Sequence, residues 1–371
     1  MIRFFIHPIL ILCIAFTLWG SHGCTSAYTE TKTNSFLTIV AVGDIMMGTI
    51  HPVDILPPDD GKGMFKGIQG EFKGGDIVFG NLEGSLCDEG KPLKCKIPLS
   101  KNCFEFVMPT RYASYLKEAG FSVLNLANNH ILDAGFEGAE CTINNLYGVG
   151  IQVAAGEKVA ILNKNGKKIA IPGFSYKTSP YTHSILDIPG AQEIVARLKK
   201  DHDIVIVSFH GGAEGKQALH IPKGDETFLE ENRGNVIKFA RAVIDAGADM
   251  VIGHGPHVLR AMEVYKGKLI AYSLGNFLTY ALFNLKGPNS LSVVLRARID
   301  AATGSFVDGR LVPVRLANKG IPEPDPSAES IRLIRDLAAA DIKPQSIVIE
   351  DNGVIRPLFP PCVREDIANK D

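Results

Sequence analysis

The sequence lacks three features that would narrow its function at once. It has no excess of charge of one sign, no evident internal repeat, and no closely spaced cysteine pairs of the zinc-finger kind. Lysine plus arginine number 39 and aspartate plus glutamate 40, so the formal net charge is -1 and no basic nucleic-acid-binding surface is expected. With 46% hydrophobic and 21% charged residues, the chain has the composition of a globular protein.

The start of the chain differs from the remainder. Arg3 is followed by a mostly apolar stretch over residues 4–20, which is typical of an export signal. The stretch leads to Gly23-Cys24, and a small residue before a cysteine is typical of a bacterial lipoprotein cleavage site. We therefore expect residues 1–24 to be a lipoprotein-type signal peptide with lipidation at Cys24, which would anchor the protein to the membrane outside the cytoplasm. Cleavage without lipidation and a retained anchor stay open as alternatives.

A polar segment over residues 25–35 predicts a linker between this signal and a folded domain. Five further cysteines follow, an odd number: Cys87, Cys95, Cys103, Cys141 and Cys362. Export makes a disulfide possible, and the cluster of the first three supplies candidates for one pair. The sequence alone does not choose the pairing.

Apolar runs rich in β-branched residues predict strands that are buried on both faces. They occupy residues 36–43, 76–80, 121–127, 203–209 and 249–253. Helical patterns lie between the runs, at residues 109–120, 136–147, 191–200 and 235–247. Strands that alternate with helices predict a largely parallel α/β core. Hairpin patterns at 158–172, 263–273 and 291–316, and a helix at 327–340, predict that antiparallel strands extend this core into mixed sheets.

Each of the five buried-type strands is followed by residues that can bind a metal. In chain order these are Asp44, Asn81 with Glu83, Asn129 with His130, His210 with Glu214, and His254 with His257. The carboxyl ends of parallel strands meet at one edge of a sheet, so these side chains are expected to converge. Singly, each has a structural explanation as a cap, a turn residue or a core histidine. Their occurrence at five strand ends favours a shared metal site instead.

The types of donor narrow the choice of metal. Imidazole, carboxylate and carboxamide groups without thiolate suit manganese, iron or zinc. Six or more such donors are enough for a centre of two divalent ions, which would activate a bridging water and polarise a phosphoryl or carbonyl oxygen.

The motifs at these strand ends resemble those of the CapA (PGA_cap) family of capsule-synthesis proteins, and they occur in the family's order. They are GDIMMG at 43–48, GNLEGSL at 80–86, LANNHILDAG at 126–135, HGGAE at 210–214, GHGPHV at 253–258 and SLGNF at 273–277. The family belongs to the calcineurin-like metallophosphatase superfamily. The resemblance covers roughly residues 36–280 and implies an α/β fold of four layers, α/β/β/α, with mixed sheets. We expect one domain over residues 36–320, on which residues 321–371 pack as an extension.

The resemblance also implies roles for single residues. The implied metal ligands are Asp44, Glu83, Asn129, His210, His254 and His257. Asn81 would be a ligand or a hydrogen-bonding neighbour of the ligands, and Glu214 would orient His210. His130 would be the catalytic histidine that protonates a leaving group or stabilises the transition state. Two divalent ions are implied, manganese, iron or zinc.

The chain departs from the general phosphatase pattern at three places. Met46 stands where the first motif usually has a histidine, Asn81-Leu82-Glu83 replaces the segment with the usual bridging aspartate, and Ile131 follows His130 where an acid is usual. CapA-like proteins share these departures. They argue against ordinary phosphatase activity, and we expect one of the two metal positions to be the weaker.

The function implied is synthesis or export of a capsule polymer such as poly-γ-glutamate, by a metal-dependent hydrolase that cleaves a phosphoester or cleaves or transfers a polymer amide. The expected partners are that anionic polymer and the membrane proteins of capsule synthesis and export, and not nucleic acid. Two alternatives stay open. One is a non-catalytic polymer-binding or assembly component that retains a structural metal, and the other is a secreted phosphodiesterase or nucleotidase without a capsule role.

Overall fold

The computed structural model of this protein describes residues 36–92, 95 and 103–359. The expected signal peptide over 1–24, its lipidation site Cys24, the linker over 25–35, and Cys362 lie outside the described residues. Among the described residues, no helix combines the length and apolar character needed to cross a membrane.

The described residues form five α-helices and twenty-two strands, numbered here in chain order. The helices are α1 (Tyr112–Ala119), α2 (Gly135–Gly148), α3 (Ile188–Asp201), α4 (Val236–Asp245) and α5 (Glu329–Asp341). The strands are β1 (Phe36–Met46), β2 (Ile77–Leu82), β3 (Ser85–Leu86), β4 (Val107–Met108), β5 (Val123–Asn125), β6 (Gln152–Ala154), β7 (Ala160–Lys164), β8 (Lys167–Ile171), β9 (Gly173–Ser175), β10 (His183–Ser184), β11 (Ile204–His210), β12 (Glu226–Phe228), β13 (Glu231–Gly234), β14 (Met250–His254), β15 (Met262–Tyr265), β16 (Lys268–Ala271), β17 (Asn276–Thr279), β18 (Leu291–Asp300), β19 (Phe306–Ala317), β20 (Ile321–Pro324), β21 (Ile347–Ile349) and β22 (Val354–Pro357).

The larger of two main sheets has the strand order β21-β22-β19-β18-β1-β2-β5-β6, with β17 paired to β1 and β20 paired to β19. Strands β17, β1, β2, β5 and β6 run parallel, whereas β18 to β22 add antiparallel pairs. The segment over 321–359 therefore contributes β20, β21 and β22 to this sheet, while α5 contacts β18 and β19.

The second main sheet has the order β10-β9-β11-β14-β16-β15, and β8 joins it beside β11 with β7 on its outer edge. Its centre is parallel, because β9, β11, β14 and β16 run in the same direction. The hairpins β7–β8 and β15–β16 are antiparallel and turn at Asn165-Gly166 and Lys266-Gly267, as the sequence pattern predicts.

Side-chain alternation along β1 shows how the layers stack. Leu37, Ile39 and Ala41 belong to a core shared with the second sheet, whereas Val40 and Val42 pack on the other face with residues of α1 and α2. Helices α3 and α4 add Val195 and Phe239 and their neighbours to the core of the second sheet. Both faces of β1 are thus buried, which accounts for its uninterrupted apolar sequence. The predicted α/β class with mixed sheets is confirmed.

The predicted helices are found close to their expected limits. Gly120, which ends α1, has a φ of 114°, a left-handed conformation that favours glycine. The side chain of Asn235 accepts a hydrogen bond from the backbone N–H of Lys238 and so caps the start of α4. Strand β1 continues past its predicted end to Met46, because Asp44 and the residues after it pair with β17.

Among the described residues, two disulfides are present, Cys95–Cys103 and Cys87–Cys141. The first joins two members of the predicted cysteine cluster. The second reaches Cys141 on α2, a long-range contact that the sequence pattern does not indicate.

Candidate metal centre

The site lies where the carboxyl ends of the central parallel strands of both sheets meet. In the larger sheet, neighbouring strands place Asn276, Asp44, Asn81 and Asn125 side by side in register. In the second sheet, His210 and His254 are register partners at the ends of β11 and β14. The two rows of polar side chains face each other, because Nδ1 of His210 lies 3.4 Å from the amide nitrogen of Asn81. Strand register therefore brings residues that are distant in sequence into one centre.

The carboxylate of Glu83 is at the middle of this centre and is fully buried. Its Oε1 lies 3.8 Å from Nε2 of His130, 3.9 Å from Nε2 of His210 and 3.7 Å from Nε2 of His257. Two ligand atoms that share one ion, each about 2.1 Å from it, lie at most about 4 Å apart. Oε1 is therefore within the range at which it and any of these imidazoles could share an ion.

Asp44 and His257 form the second element of the centre. Oδ2 of Asp44 lies 3.1 Å from Nδ1 of His257, and ligand atoms of Asp44, Glu83 and His257 all lie within 4.8 Å of one another. Gly43 precedes Asp44, and a Cβ at this position would lie 1.9 Å from the carbonyl oxygen of Gly275. A glycine is needed here so that the β17 segment can approach Asp44.

Asn81 fixes the orientation of Asp44. Its amide nitrogen donates a hydrogen bond of 2.9 Å to Oδ1 of Asp44. Its carbonyl oxygen accepts hydrogen bonds from the amide groups of Asn125, at 2.7 Å, and Asn128, at 3.1 Å. The Asn81 oxygen thus has two donors, and this geometry places Asn81 as a hydrogen-bonding neighbour of Asp44. Sequence reasoning did not single out Asn125, and it placed Asn128 beside Asn129 and His130 at the third strand end without giving it a role.

Nitrogen atoms of two histidines are buried without a hydrogen-bond partner among the described residues. They are Nε2 of His210 and Nδ1 of His254. The other nitrogen of His254 lies 3.2 Å from the carbonyl oxygen of Val42. Because burial disfavours the charged imidazolium, the pKa of His210 is well below its usual value and the pKa of His254 is also lowered. Both rings are therefore neutral at pH 7, the form in which imidazole binds metal.

The pKa of His257 is shifted in the opposite direction, upwards, because acidic side chains surround its ring. Burial lowers its pKa, but Glu83, Asp44 and Glu214 outweigh burial and raise the pKa of His257 to about 10. Burial likewise raises the pKa of Asp44, but the hydrogen bond from His257 and the neighbouring histidines outweigh it and lower that pKa to about 2. The imidazolium of His257 thus balances the acids in the absence of an ion. A divalent cation would supply the same balance, and its binding displaces protons from such ligands.

The backbone of His257 has a φ of 56°, in the left-handed region that non-glycine residues rarely adopt. Nδ1 of its ring also lies 3.1 Å from Oδ1 of Asn276, whose amide nitrogen donates to the carbonyl oxygen of His257. Such a conformation costs on the order of 1–3 kcal/mol and persists where surrounding contacts hold it, commonly at functional sites. Asn276 belongs to the SLGNF motif and provides these contacts.

His130 is held by a carboxylate that sequence reasoning missed. Its Nδ1 lies 2.6 Å from Oδ2 of Asp133, which also accepts a hydrogen bond from the backbone N–H of Phe106. The usual acid next to this histidine is absent, but Asp133, three residues further on, lies within the same LANNHILDAG motif. Inspection of the whole motif, and not only of Ile131, would have found it.

The two remaining predicted residues line the cavity above the centre. Asn129 lines it together with His130 and His257. Glu214 was expected to orient His210. Among the described residues, its partners are instead His257, with Oε2 3.9 Å from Nε2, and Arg233, whose NH1 donates to Oε1 at 2.7 Å. Arg233 was not predicted from the sequence.

The donor atoms fit a centre of divalent transition metals. Asp44, Glu83 and His257 form one cluster of ligand atoms, and the open nitrogens of His210 and His254 face the same region. Nitrogen and oxygen donors without sulfur suit manganese, iron or zinc. The fold and this site define the chain as a two-sheet α/β protein with a buried histidine–carboxylate centre.

Comparison with known families agrees with this description. Residues 38–281 match the model of the family described as bacterial capsule synthesis protein PGA_cap. The chain belongs to this family, and the resemblance of its motifs to CapA proteins is confirmed.

Two curated relatives carry capsule-related names. The chain is 31% identical to the capsule biosynthesis protein CapA of Bacillus anthracis over 73% of its own length and 66% of that protein. It is 30% identical to the PGA biosynthesis protein CapA of Bacillus subtilis over 73% of its own length and 70% of that protein. The aligned part thus spans about two-thirds of each relative.

Solved structures show a more distant likeness. A calcineurin-like phosphoesterase, YfkN from Bacillus subtilis, aligns over 81% of this chain and 97% of its own with 13% identity and a TM-score of 0.45. A putative 5'-nucleotidase from Staphylococcus aureus aligns over 82% of this chain and 58% of its own with 15% identity and a TM-score of 0.43.

Proposed function

We propose that this protein is an exported, membrane-anchored component of capsule or poly-γ-glutamate synthesis or export with a metal-dependent hydrolase-type site. Its reaction would be hydrolysis of a phosphoester, or cleavage or transfer of an amide in the polymer. Membership of the capsule synthesis family supports the biological role. The names of the two Bacillus relatives support poly-γ-glutamate as the polymer.

One observation carries the catalytic part of the proposal: a single buried oxygen, Oε1 of Glu83, lies within 3.7–3.9 Å of three imidazole nitrogens. A buried carboxylate is costly unless it is paired or coordinates a metal. Asp44, Glu83 and His257 would hold one ion, and His210, His254 and Asn129 would contribute to a second. When bound, such ions activate water and polarise a phosphoryl or carbonyl oxygen.

His130 would hold the proton that a leaving group needs. The carboxylate of Asp133 forms a hydrogen bond with Nδ1 of His130 and so fixes the ring. The other ring nitrogen, Nε2, faces Glu83, and His130 also lines the cavity. A histidine oriented by a carboxylate is the arrangement that general acid–base catalysis uses. Asp133 would keep the ring in position, as Asn81 does for Asp44.

Export is supported by the pattern of residues 1–24 and by the two disulfides. Disulfides persist in oxidising surroundings outside the cytoplasm. Cys87–Cys141 and Cys95–Cys103 are both formed in the folded structure, so an oxidising location suits it. Metabolic labelling of cells with a fatty acid, with and without Cys24→Ala, tests the lipid anchor; equal labelling of the two proteins would contradict lipidation at this residue.

Elemental analysis of the purified protein tests the metal centre. We expect manganese, iron or zinc in the wild-type protein, and much less of it in His254→Ala. His220→Ala is the matched control, because the side chain of His220 is 69% exposed and pairs with Asp341 outside the site. Absence of transition metal from wild-type protein purified without chelators and then incubated with these ions would contradict the proposal.

Turnover assays on a chromogenic phosphodiester and on poly-γ-glutamate then separate an enzyme from a non-catalytic polymer-binding component. We expect turnover that is lost in His130→Ala while the metal content stays the same. A metal-loaded protein that binds the polymer but turns over neither substrate would instead support the assembly role.

A further inference from the structure

The cavity above the metal centre is much larger than a phosphate or carboxylate group requires. Its volume is about 660 Å³, which lies in the range of about 300–1,000 Å³ that holds organic ligands of drug size. Asn129, His130 and His257 line it, so the cavity is continuous with the metal centre. Whatever occupies the centre therefore has room for a substantial organic group beside it.

One side of this cavity is a continuous aromatic surface that reaches two site histidines. We call Phe104, Phe106 and Phe283 the aromatic wall. The ring centroid of Phe106 lies 4.4 Å from that of His130, and the ring of Phe283 lies 4.9 Å from that of His257. Phe106 also contacts Phe283 at 5.4 Å and stacks with Phe104 at 6.4 Å. The wall thus extends from the reactive centre to solvent.

Phe104, at the outer end of the aromatic wall, is far more exposed to solvent than the other end. Phe104 is 50% exposed, whereas Phe106 beside it is 3% exposed. Leu229 lines the same cavity and is 60% exposed. Large apolar side chains grouped at the mouth of a cavity are typical of a ligand-binding surface. Cys103, which precedes Phe104, is joined to Cys95, so the disulfide restrains the chain at this point.

Three lysine and arginine side chains line this cavity, and two of them, Arg233 and Lys177, are paired with acids; Lys216 is the third. Arg233 is 3% exposed, donates to Glu214 at 2.7 Å and lies 3.1 Å from Glu231. Its guanidinium also lies over the rings of Tyr176, at 4.0 Å, and Phe228, at 5.2 Å. Lys177 is paired with Glu231 at 2.6 Å. Two of these cations are thus already compensated, and the divalent ions of the proposed centre would offer the larger positive charge to an anionic head.

We propose that the aromatic wall binds an apolar group, preferentially an aromatic ring, carried by the anionic ligand whose charged head reaches the metal centre. This inference rests on the proposed metal-dependent site and specifies its ligand class. The apolar group would lie on the side of His130. A run of carboxylates along the wall would lose hydration without gaining partners, which is unfavourable. The aromatic wall itself therefore favours the apolar group of an ester or phosphonate over a stretch of polyanion.

Binding of two phosphonates tests the inference without requiring turnover. Phenylphosphonate and methylphosphonate have the same anionic head and differ in the apolar group. We would titrate each into protein loaded with Mn²⁺ and measure the dissociation constant by calorimetry, for the wild type, Phe104→Ala and Phe136→Ala. Phe136 is the matched control, because it is 60% exposed and does not line this cavity. Thermal melting checks that each variant is folded.

We expect phenylphosphonate to bind the wild type about tenfold more tightly than methylphosphonate, since aromatic contacts and ring burial favour it. Phe104→Ala should weaken phenylphosphonate binding about threefold to tenfold and leave methylphosphonate unchanged, while Phe136→Ala changes neither.

Two results would overturn the inference and are distinguishable. Equal affinities for both phosphonates, or an unchanged preference in folded Phe104→Ala, would exclude the aromatic wall while the proposed metal site stands. Binding of neither phosphonate by protein that holds Mn²⁺ would reject the phosphoester form of the proposed function together with this inference.

Discussion

Two clusters of buried charge in this protein differ in how their members are paired. In the first, the fully buried guanidinium of Arg260 donates to both oxygens of Glu226, at 2.8 and 2.7 Å, and to the carbonyl oxygens of Ala218 and Ala213. In the second, the metal centre, buried acids face imidazoles, and Nε2 of His210 and Nδ1 of His254 lack a hydrogen-bond partner among the described residues.

Because the two clusters differ in whether their buried polar atoms all have partners, we assign the first a structural role and the second a binding role. The Arg260–Glu226 cluster is complete without any ligand, and it fixes the loop after His210, since the backbone N–H of Ala213 also donates to Glu226. The candidate metal centre instead contains two buried imidazole nitrogens without a hydrogen-bond partner among the described residues. Buried polar groups are normally hydrogen-bonded, and two neutral imidazoles beside buried acids are groups that a cation could bind.

We expect the largest effect on stability from a substitution in the Arg260–Glu226 cluster. Arg260→Met leaves Glu226 buried without its cation, and we expect a loss of about 3–5 kcal/mol in the free energy of unfolding, measured by urea denaturation. Arg260→Met combined with Glu226→Met should recover much of this loss, because two apolar side chains replace the pair. A double variant as unstable as the sum of the single variants would contradict a charge-pairing role.

Removal of metal from the proposed centre should have the next largest effect on stability. At a free metal concentration about 100 times the dissociation constant, a bound ion stabilises the fold by about 2.7 kcal/mol. We therefore expect a chelator to lower the melting temperature of the wild type and of His220→Ala. His254→Ala should start lower and respond little. An equal response of His254→Ala would place the metal elsewhere.

A smaller effect is expected where a residue orients the site without binding metal. Asp133→Asn should reduce turnover about tenfold, because His130 loses the carboxylate that fixes its ring, while metal content stays at the wild-type level. Asp341→Asn is the control, since Asp341 forms a similar pair with His220, at 2.7 Å, outside the site. If both variants kept full activity, Asp133 would have no positioning role.

The smallest effect is expected at an exposed pair. Arg298 and Asp308 face each other across β18 and β19 and form a bidentate ion pair with side chains that are 44% and 35% exposed. Because solvent screens such pairs, we expect Arg298→Gln to change the free energy of unfolding by less than about 1 kcal/mol in urea denaturation. A loss as large as that of Arg260→Met would show that burial does not explain the difference between the pairs.

Much of the fold could be predicted from local patterns. The runs that became β1, β2, β5, β11 and β14 are apolar because both their faces are buried, and this property is visible in the sequence. Helix limits followed from glycine and asparagine at the ends, as at Gly120 and Asn235. The continuation of β1 to Met46 was missed, because it depends on pairing with β17, a strand that is more than 200 residues away in the chain.

For the site, the sequence by itself determined which chemical groups follow the strand ends, and the motifs identified the family. Only the tertiary structure decided most of their partners: Asn81 bonds to Asp44, Glu214 lies at His257 and not at His210, and the aromatic wall lies beside His130 and His257. The physical reason is that residue type is a local property, whereas strand register across two sheets sets which side chains meet. Contacts at the site between residues 37 to 212 positions apart in the chain follow from that register and are not encoded in any single motif.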